Sequence, residues 1–270
     1  MDDDFSSPAV SSGLSASAAE KLRTALKTAA IVKGLNSKTQ LIDNDQLEIS
    51  VASDYRAHQG RIAIAIYNKG NSDLRNVEFS VANSDALNVR VQAPSQRISP
   101  GDEGRVQIAI ECLKPFREAP LSTLSFSVNQ SNFKYEIPLP VSVPSFCVPL
   151  PSDKATYMNR WKAITAENTE AQQVFSSGRP VSPELLNFVR NTLMPAMSVA
   201  NAEGLDSDKT FTGSTTFMTG TVGPEGKPIA VGALLRLEGE PAHNKFRITV
   251  RATHPAVSQA IKDFIVTQLS

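Results

Sequence analysis

The stretch RIAIAIYN, Arg61 to Asn68, decides how this chain is read. Ile62, Ile64 and Ile66 fall on one face of an extended backbone and Ala63 and Ala65 on the other, because successive side chains of a strand point to opposite sides. The isoleucine face is expected to pack into a core.

Working outward, the same period of two recurs in LEISVAS, LRNVEFSVA, LNVRVQA, GRVQIAIEC, LSTLSFSV and YEIPLPVSV. Turn signals separate these segments: NKGNS, APSQRISPGDEG and NQSN. Many short strands at close spacing are the signature of a β-sandwich, here expected over residues 35–148. Before it, residues 1–34 are rich in Ser, Ala and Asp and read as a linker. Inside that linker Ser17 and Glu20 form a capping box, Leu22 and Leu26 recur at helical spacing, and Gly34 can stop the turn. A helix is therefore expected over Ser17 to Lys33, either on the surface of the following domain or as part of a hinge.

After the sandwich the pattern changes. PSFCVPLPSDK holds three prolines and cannot continue a central strand, so a boundary is expected near Pro149 to Asp153. Residues 149–270 read as an α+β unit. Helices are expected over Lys154 to Ile164, Glu170 to Ser176, from Ser182-Pro183 onward, and from Pro255 to Leu269. Strands are expected in TFTGSTTFMTG, PIAVGALLRLEG and KFRITVRAT.

Composition narrows the function. The 270 residues carry 27 basic and 27 acidic side chains, a formal net charge of zero. Nucleic acid and anionic membranes both reward a basic excess, so neither is an expected partner. No apolar run reaches the roughly 18–20 residues that span a bilayer. Two cysteines, Cys112 and Cys147, are too few for a disulfide framework or a zinc cluster and fit a reduced cytosolic setting. His58, His243 and His254 sit at no metal-ligand spacing. Nucleophile elbow, phosphate loop and dinucleotide fingerprint are all missing. No cofactor and no catalysis are expected.

One strand pair carries a different signal. In KFRITVR, Phe246, Ile248 and Val250 take one face and Arg247, Thr249 and Arg251 the other. In ALLRLEG, Ala233, Leu235 and Leu237 share a face, with Arg236 and Glu238 opposite. With Glu238 placed across from Lys245, Arg236 lies across from Arg247. Like charges there are unfavourable unless an acid or an anionic ligand relieves them. A solvated face with a structural Arg–Glu pair and a carboxylate-binding face both fit this pattern. Trp161, the only tryptophan, sits in YMNRWKAI. Tyr157, Trp161 and Ile164 are spaced as a helical core stripe, yet Trp and Arg also dominate binding hot spots.

At these residues the sequence resembles the appendage, or ear, of the α-adaptin large subunit of the endocytic clathrin adaptor. The likeness runs from about Leu35 to the C-terminus. It rests on SDYRAHQGRIAIAIYNK, IECLKPFREAPLSTLSF, YMNRWKAI, LLRLEG with FRITVR, and THPAVSQAIKDFI. The resemblance implies an immunoglobulin-like sandwich, a platform subdomain, and a hinge end in residues 1–34. It implies a binding module for short Asp-Pro-Phe/Trp and Phe-x-Asp-x-Phe peptides of disordered endocytic accessory proteins, working at plasma-membrane coated pits beside the other adaptor subunits. By the same resemblance the platform site comprises Trp161, Arg236, Arg247 and Glu238, with Arg251 and Met158 beside them. Met158 stands where the family has an aromatic. A second peptide site, on the sandwich, would fall on Leu74, Arg61 and Asn76, with Leu74 in place of an aromatic. The appendages of β-adaptin and of the coatomer γ subunit, a structural coat domain without a peptide site, and a hydrolase are the competing readings.

Overall fold

The computed structural model describes residues 10–12, 15–165 and 169–270; the rest of the expected hinge lies outside the described residues. In chain order the elements are β1 (Val10–Ser12), α1 (Ala16–Ile31), β2 (Thr39–Asp43), β3 (Leu47–Arg56), β4 (Gln59–Asn68), β5 (Leu74–Val81), β6 (Leu87–Gln92), β7 (Arg97–Ile98), β8 (Glu103–Cys112), β9 (Leu121–Val128) and β10 (Ser131–Pro138). There follow β11 (Cys147–Pro149), α2 (Lys154–Ala163), β12 (Glu170–Ser176), α3 (Pro183–Phe188), α4 (Met194–Ala196), β13 (Ala200–Asn201), β14 (Thr210–Val222), β15 (Pro228–Glu240), β16 (Lys245–Ala252) and α5 (Pro255–Leu269).

Two sheets make the sandwich, one ordered β2-β3-β4-β8-β6 and the other β1-β10-β9-β5-β7. Alternation explains how they meet. Ile62, Ile64 and Ile66 of β4 are buried, as are Val106, Ile108 and Ile110 of β8, and they join Leu74, Phe79, Leu124 and Phe126 of the facing sheet in one core. The third sheet, β11-β14-β15-β16-β12, carries the platform, with β13 on β14. α5 packs on it through Val257, Ile261 and Ile265.

The core does not stop between sandwich and platform. A 3-10 turn, Val143–Phe146, crosses from one to the other with all four residues buried. Phe146 meets Tyr55 edge-on at 5.6 Å and Phe116 at 6.1 Å. The Tyr55 hydroxyl donates to the Pro140 carbonyl at 3.0 Å, and Thr221 of β14 donates to Leu113 at 2.6 Å. Gly220 sits so close to the sandwich that a β-carbon there would lie 2.5 Å from Glu111 Oε1. Cys147–Pro149, read from sequence as the sandwich's end and the start of the boundary, is an edge strand of the platform sheet, pairing with Thr215–Phe217. Prolines are tolerated there because an edge leaves one row of backbone groups unpaired.

Three sequence expectations are corrected. Helix α1 begins one residue early, and its cap is Ser15, whose Oγ accepts from Ala18 N at 3.2 Å. Glu20 instead pairs with Arg23 at 3.0 Å, so the Ser17–Glu20 box does not form. Of the two placements expected for this helix, the structure shows the one on the following domain: Leu22 and Ala29 are buried, and Lys27 and Gln268 tie α1 to the end of α5. Glu170–Ser176, expected helical, is strand β12, paired antiparallel with β16 from Glu170↔Arg251 to Ser176↔Lys245. Seven residues are too few for a stable isolated helix, whereas alternate burial of Ala171 and Phe175 suits a sheet edge. Finally, the β15–β16 register is shifted by two. Glu240 faces Lys245, Glu238 faces Arg247 and Arg236 faces Thr249. A 3-10 turn at Pro241–His243 with Asn244 at φ 51° closes the hairpin, so the turn is tighter than the expected loop GEPAHN. The expected Arg236–Arg247 opposition does not occur.

Candidate functional site

The platform site is built on α2. Asp153 caps this helix by accepting from Thr156 N at 2.7 Å, and these bonds hold its carboxyl below the usual range. The cap sets the helix over the middle of β15. There the Tyr157 hydroxyl donates to Leu235 O at 2.9 Å, and burial pushes that phenol above its ordinary value. Of the expected stripe only Tyr157 is buried; Trp161 and Ile164 are half-exposed. The indole stacks on the Tyr157 ring with centroids 5.6 Å apart. Tyr157, Ala202 and Leu234 form a small core of their own, with Trp161, Ile164 and Leu205 leaning on it.

Above this small core opens a cavity of about 320 Å³, lined by Tyr157, Met158, Trp161, Leu205, Thr212 and Arg236 among others. Met158 is 37 % exposed, an unbranched, adaptable side chain at the mouth. Arg236 donates to Glu238 at 2.8 Å. Glu238 is spent on that bond, although Arg247 is its cross-strand neighbour. Among the described residues Arg247 has no carboxylate within salt-bridge distance, so the polar face of the hairpin keeps one uncompensated guanidinium beside a half-satisfied one. Arg251 is differently employed. It donates to Glu170 Oε2 and to the Trp161 carbonyl, both at 2.7 Å, and its guanidinium carbon stands 4.6 Å from the indole centroid. It holds the tryptophan in place through Nη1, with Nε tied to Glu170.

The sandwich residues are not brought together. Leu74 is fully buried in the core of one sheet. Asn76, two residues on, has φ 52° and donates to Ser127 Oγ at 3.2 Å. Arg61 lies on the other sheet, lining an open groove of about 620 Å³ with Asp54, Arg56, Arg90 and Ala109. A site made of Leu74, Arg61 and Asn76 is therefore incompatible with the structure, because a strand-two parity placed Leu74 inward and the two polar residues sit on opposite sheets.

Sequence reasoning did not foresee that Leu205, Ser207, Thr210 and Thr212 line the same cavity as Trp161. Residues 202–209 have no periodicity, so pattern offered no signal for them. No group of three His, Cys, Asp or Glu side chains among the described residues could hold a metal ion. His254 Nδ1 accepts from Ala256 N at 3.2 Å to cap α5, and His243 pairs with Glu240 at 2.8 Å. No helix among the described residues is long and apolar enough to cross a membrane.

Comparison with known proteins agrees with this layout. The family described as "Adaptin C-terminal domain" matches residues 37–140, and "Alpha adaptin AP2, C-terminal domain" matches residues 145–269. The AP-2 complex subunit alpha-2 of Dictyostelium discoideum is 23 % identical over 98 % of this chain and 26 % of its own length. The Arabidopsis thaliana protein of the same name is 25 % identical over 85 % of this chain and 22 % of its own length. The chain thus spans about a quarter of the curated relatives it matches. Among solved structures, the GAE domain of GGA2p from Saccharomyces cerevisiae overlaps 39 % of this chain and 96 % of its own, at 16 % identity and a TM-score of 0.35, a likeness that adds no weight. The two family matches together cover both the sandwich and the platform, and on them the chain belongs to the α-adaptin C-terminal appendage family, whose members are non-catalytic protein-interaction modules.

Proposed function

We propose that the platform cavity captures short acidic-aromatic peptides, of the Asp-Pro-Phe/Trp and Phe-x-Asp-x-Phe kinds, from disordered accessory proteins of clathrin-mediated endocytosis. The observation that carries this reading is that a half-exposed indole, Trp161, and the guanidinium of Arg236 line one cavity, with Arg247 on the same polar face of the hairpin. A ligand Phe or Trp ring stacks in the slot between Trp161 and the Leu205 wall. A ligand Asp meets Arg247, or displaces Glu238 from Arg236. Two-pronged guanidinium geometry suits that carboxylate.

Such a peptide buries little surface and loses chain entropy on docking, so each contact is weak. Several motifs in one ligand gain by effective concentration. Weak, repeated and reversible capture is what a coat that assembles and disassembles requires. In the longer subunit of which the relatives are examples, this module would act beside the other adaptor subunits at plasma-membrane coated pits.

The test is a calorimetric titration of the whole chain, α1 included, with Asp-Pro-Phe and Asp-Pro-Trp peptides. Micromolar binding that weakens with salt supports the reading. Absence of binding by either peptide, with the fold intact, ends it.

A further inference from the structure

Residues 202–209 form the cavity wall without regular secondary structure, yet one carboxylate braces them from behind. Asp206 Oδ1 accepts from Thr212 N at 2.7 Å and from Thr212 Oγ1 at 2.9 Å. Its Oδ2 accepts from Asn201 Nδ2 at 3.0 Å and faces Arg190 Nε at 3.7 Å. Arg190 reaches on to donate to Ser207 O at 2.9 Å. Arg190 itself lies in a π-helical turn, Val189–Leu193. Such a turn admits an extra residue and re-aims side chains, and π-turns gather at functional sites.

The neighbours of Asp206 on either side, Leu205 and Ser207, both line the cavity. Leu205 also rests on the Tyr157–Ala202–Leu234 cluster beneath Trp161. An acid close to a site for acidic peptides costs affinity by like-charge repulsion. Here its side chain is only 16 % exposed and its oxygens are turned inward to four donor atoms. That geometry aims the carboxylate at the loop and away from the ligand.

We propose that Asp206, braced by Arg190, is a positioning residue that sets the width of the slot facing Trp161 and so its preference for an aromatic over a smaller apolar side chain. The inference rests on the platform reading. On this proposal the braced wall keeps the slot open for a flat ring. A loosened wall closes on smaller side chains and loses that preference.

The experiment uses intrinsic fluorescence, since Trp161 is the only indole in the chain. The whole protein is titrated with an Asp-Pro-Phe peptide and with the same peptide carrying Leu for Phe. Asp206→Asn keeps an acceptor for Thr212 and changes the oxygen that meets Asn201 and Arg190. Arg190→Ala removes the brace from the other side and serves should Asp206→Asn fail to fold. The expected result is about a tenfold loss for the Phe peptide and less than about a threefold loss for the Leu peptide, with the melting temperature little changed. The double variant should lose no more selectivity than either single one, because both act through one contact chain. Equal losses for both peptides, or unchanged selectivity in both variants while the wild type binds, overturn the positioning role and leave the platform reading standing. Wild-type protein that binds neither peptide overturns the platform reading and this inference with it.

Discussion

Arg251 holds Trp161 twice, its guanidinium carbon 4.6 Å above the indole centroid and its Nη1 donating to the tryptophan's own carbonyl at 2.7 Å. The indole is thus fixed by stacking on Tyr157 and by a cation–π contact from Arg251, and it lines the cavity in that fixed position.

Trp161→Ala is expected to weaken Asp-Pro-Phe binding by about thirtyfold or more, the loss typical of an aromatic hot spot of about 2 kcal/mol. The fold should survive, because Trp161 is half-exposed and Tyr157 still closes the small core. Circular dichroism and a peptide titration on the same sample check both halves. Unfolding would show that the indole is a core residue first.

Glu238→Gln should tighten acidic peptides, since it removes the negative charge that pairs with Arg236 at 2.8 Å and faces Arg247. Arg247→Ala should weaken them with little change in stability, as no ion pair is broken. Both effects should fade when the peptide Asp is changed to Asn and when salt is raised. A double-mutant cycle showing no coupling to the peptide Asp would mean that the platform reads aromatics alone.

Phe146→Ala is expected to cost about 3–5 kcal/mol, the usual penalty for emptying a fully buried phenylalanine site. Phe146 is fully buried, between Tyr55 and Phe116 at the crossing from sandwich to platform. Urea unfolding gives the loss. A cost below about 1 kcal/mol would show that the two sheets of the sandwich hold without this junction.

Alkali should destabilise the protein from about pH 9 upward. Burial pushes the Cys112 and Cys147 thiols up to about 12 and raises the Tyr55 and Tyr157 phenols as well. Above pH 9 the unfolded thiols lose their protons while the folded ones keep them. The unfolded state then binds fewer protons, and stability falls with slope of order 1 kcal/mol per thiol per pH unit until about pH 12. The urea midpoint at pH 8 and pH 10.5 measures this. The same burial leaves both thiols unreactive toward disulfide reagents at pH 8 until the chain unfolds. A flat midpoint, or rapid labelling of folded protein, would contradict the picture.

Much of the fold was legible because the period of two is strong where one face of a strand is buried. RIAIAIYN is the clearest case, with Ile62, Ile64 and Ile66 all inside. EAQQVFS was misread because an edge strand of seven residues has too few repeats to separate the two periods. The hairpin partners Arg236, Glu238 and Arg247 were correctly placed on one polar face, but their register depended on a turn closed by a left-handed Asn244, which periodicity does not reveal. Trp161, Met158 and Arg236 do line one cavity. The loop carrying Leu205 and Ser207 was invisible because it is held by the hydrogen bonds of Asp206 and Arg190, and such bonds leave no pattern along the chain.

The strap formed by α1 has a consequence for the order of synthesis. α1 is translated before the sandwich and the platform, and its contacts with the end of α5, Gln268 to Lys27 and Lys27 to Ser270, join residues 241 and 243 positions apart. On the ribosome α1 can settle on β2 and β3 as soon as the sandwich emerges. The platform must then wait for its own C-terminal helix before the α1 clasp can shut. A nascent chain stalled after β16 would carry a completed sandwich with an unlatched α1, and its platform sheet would still lack α5 over Phe246, Ile248 and Val250.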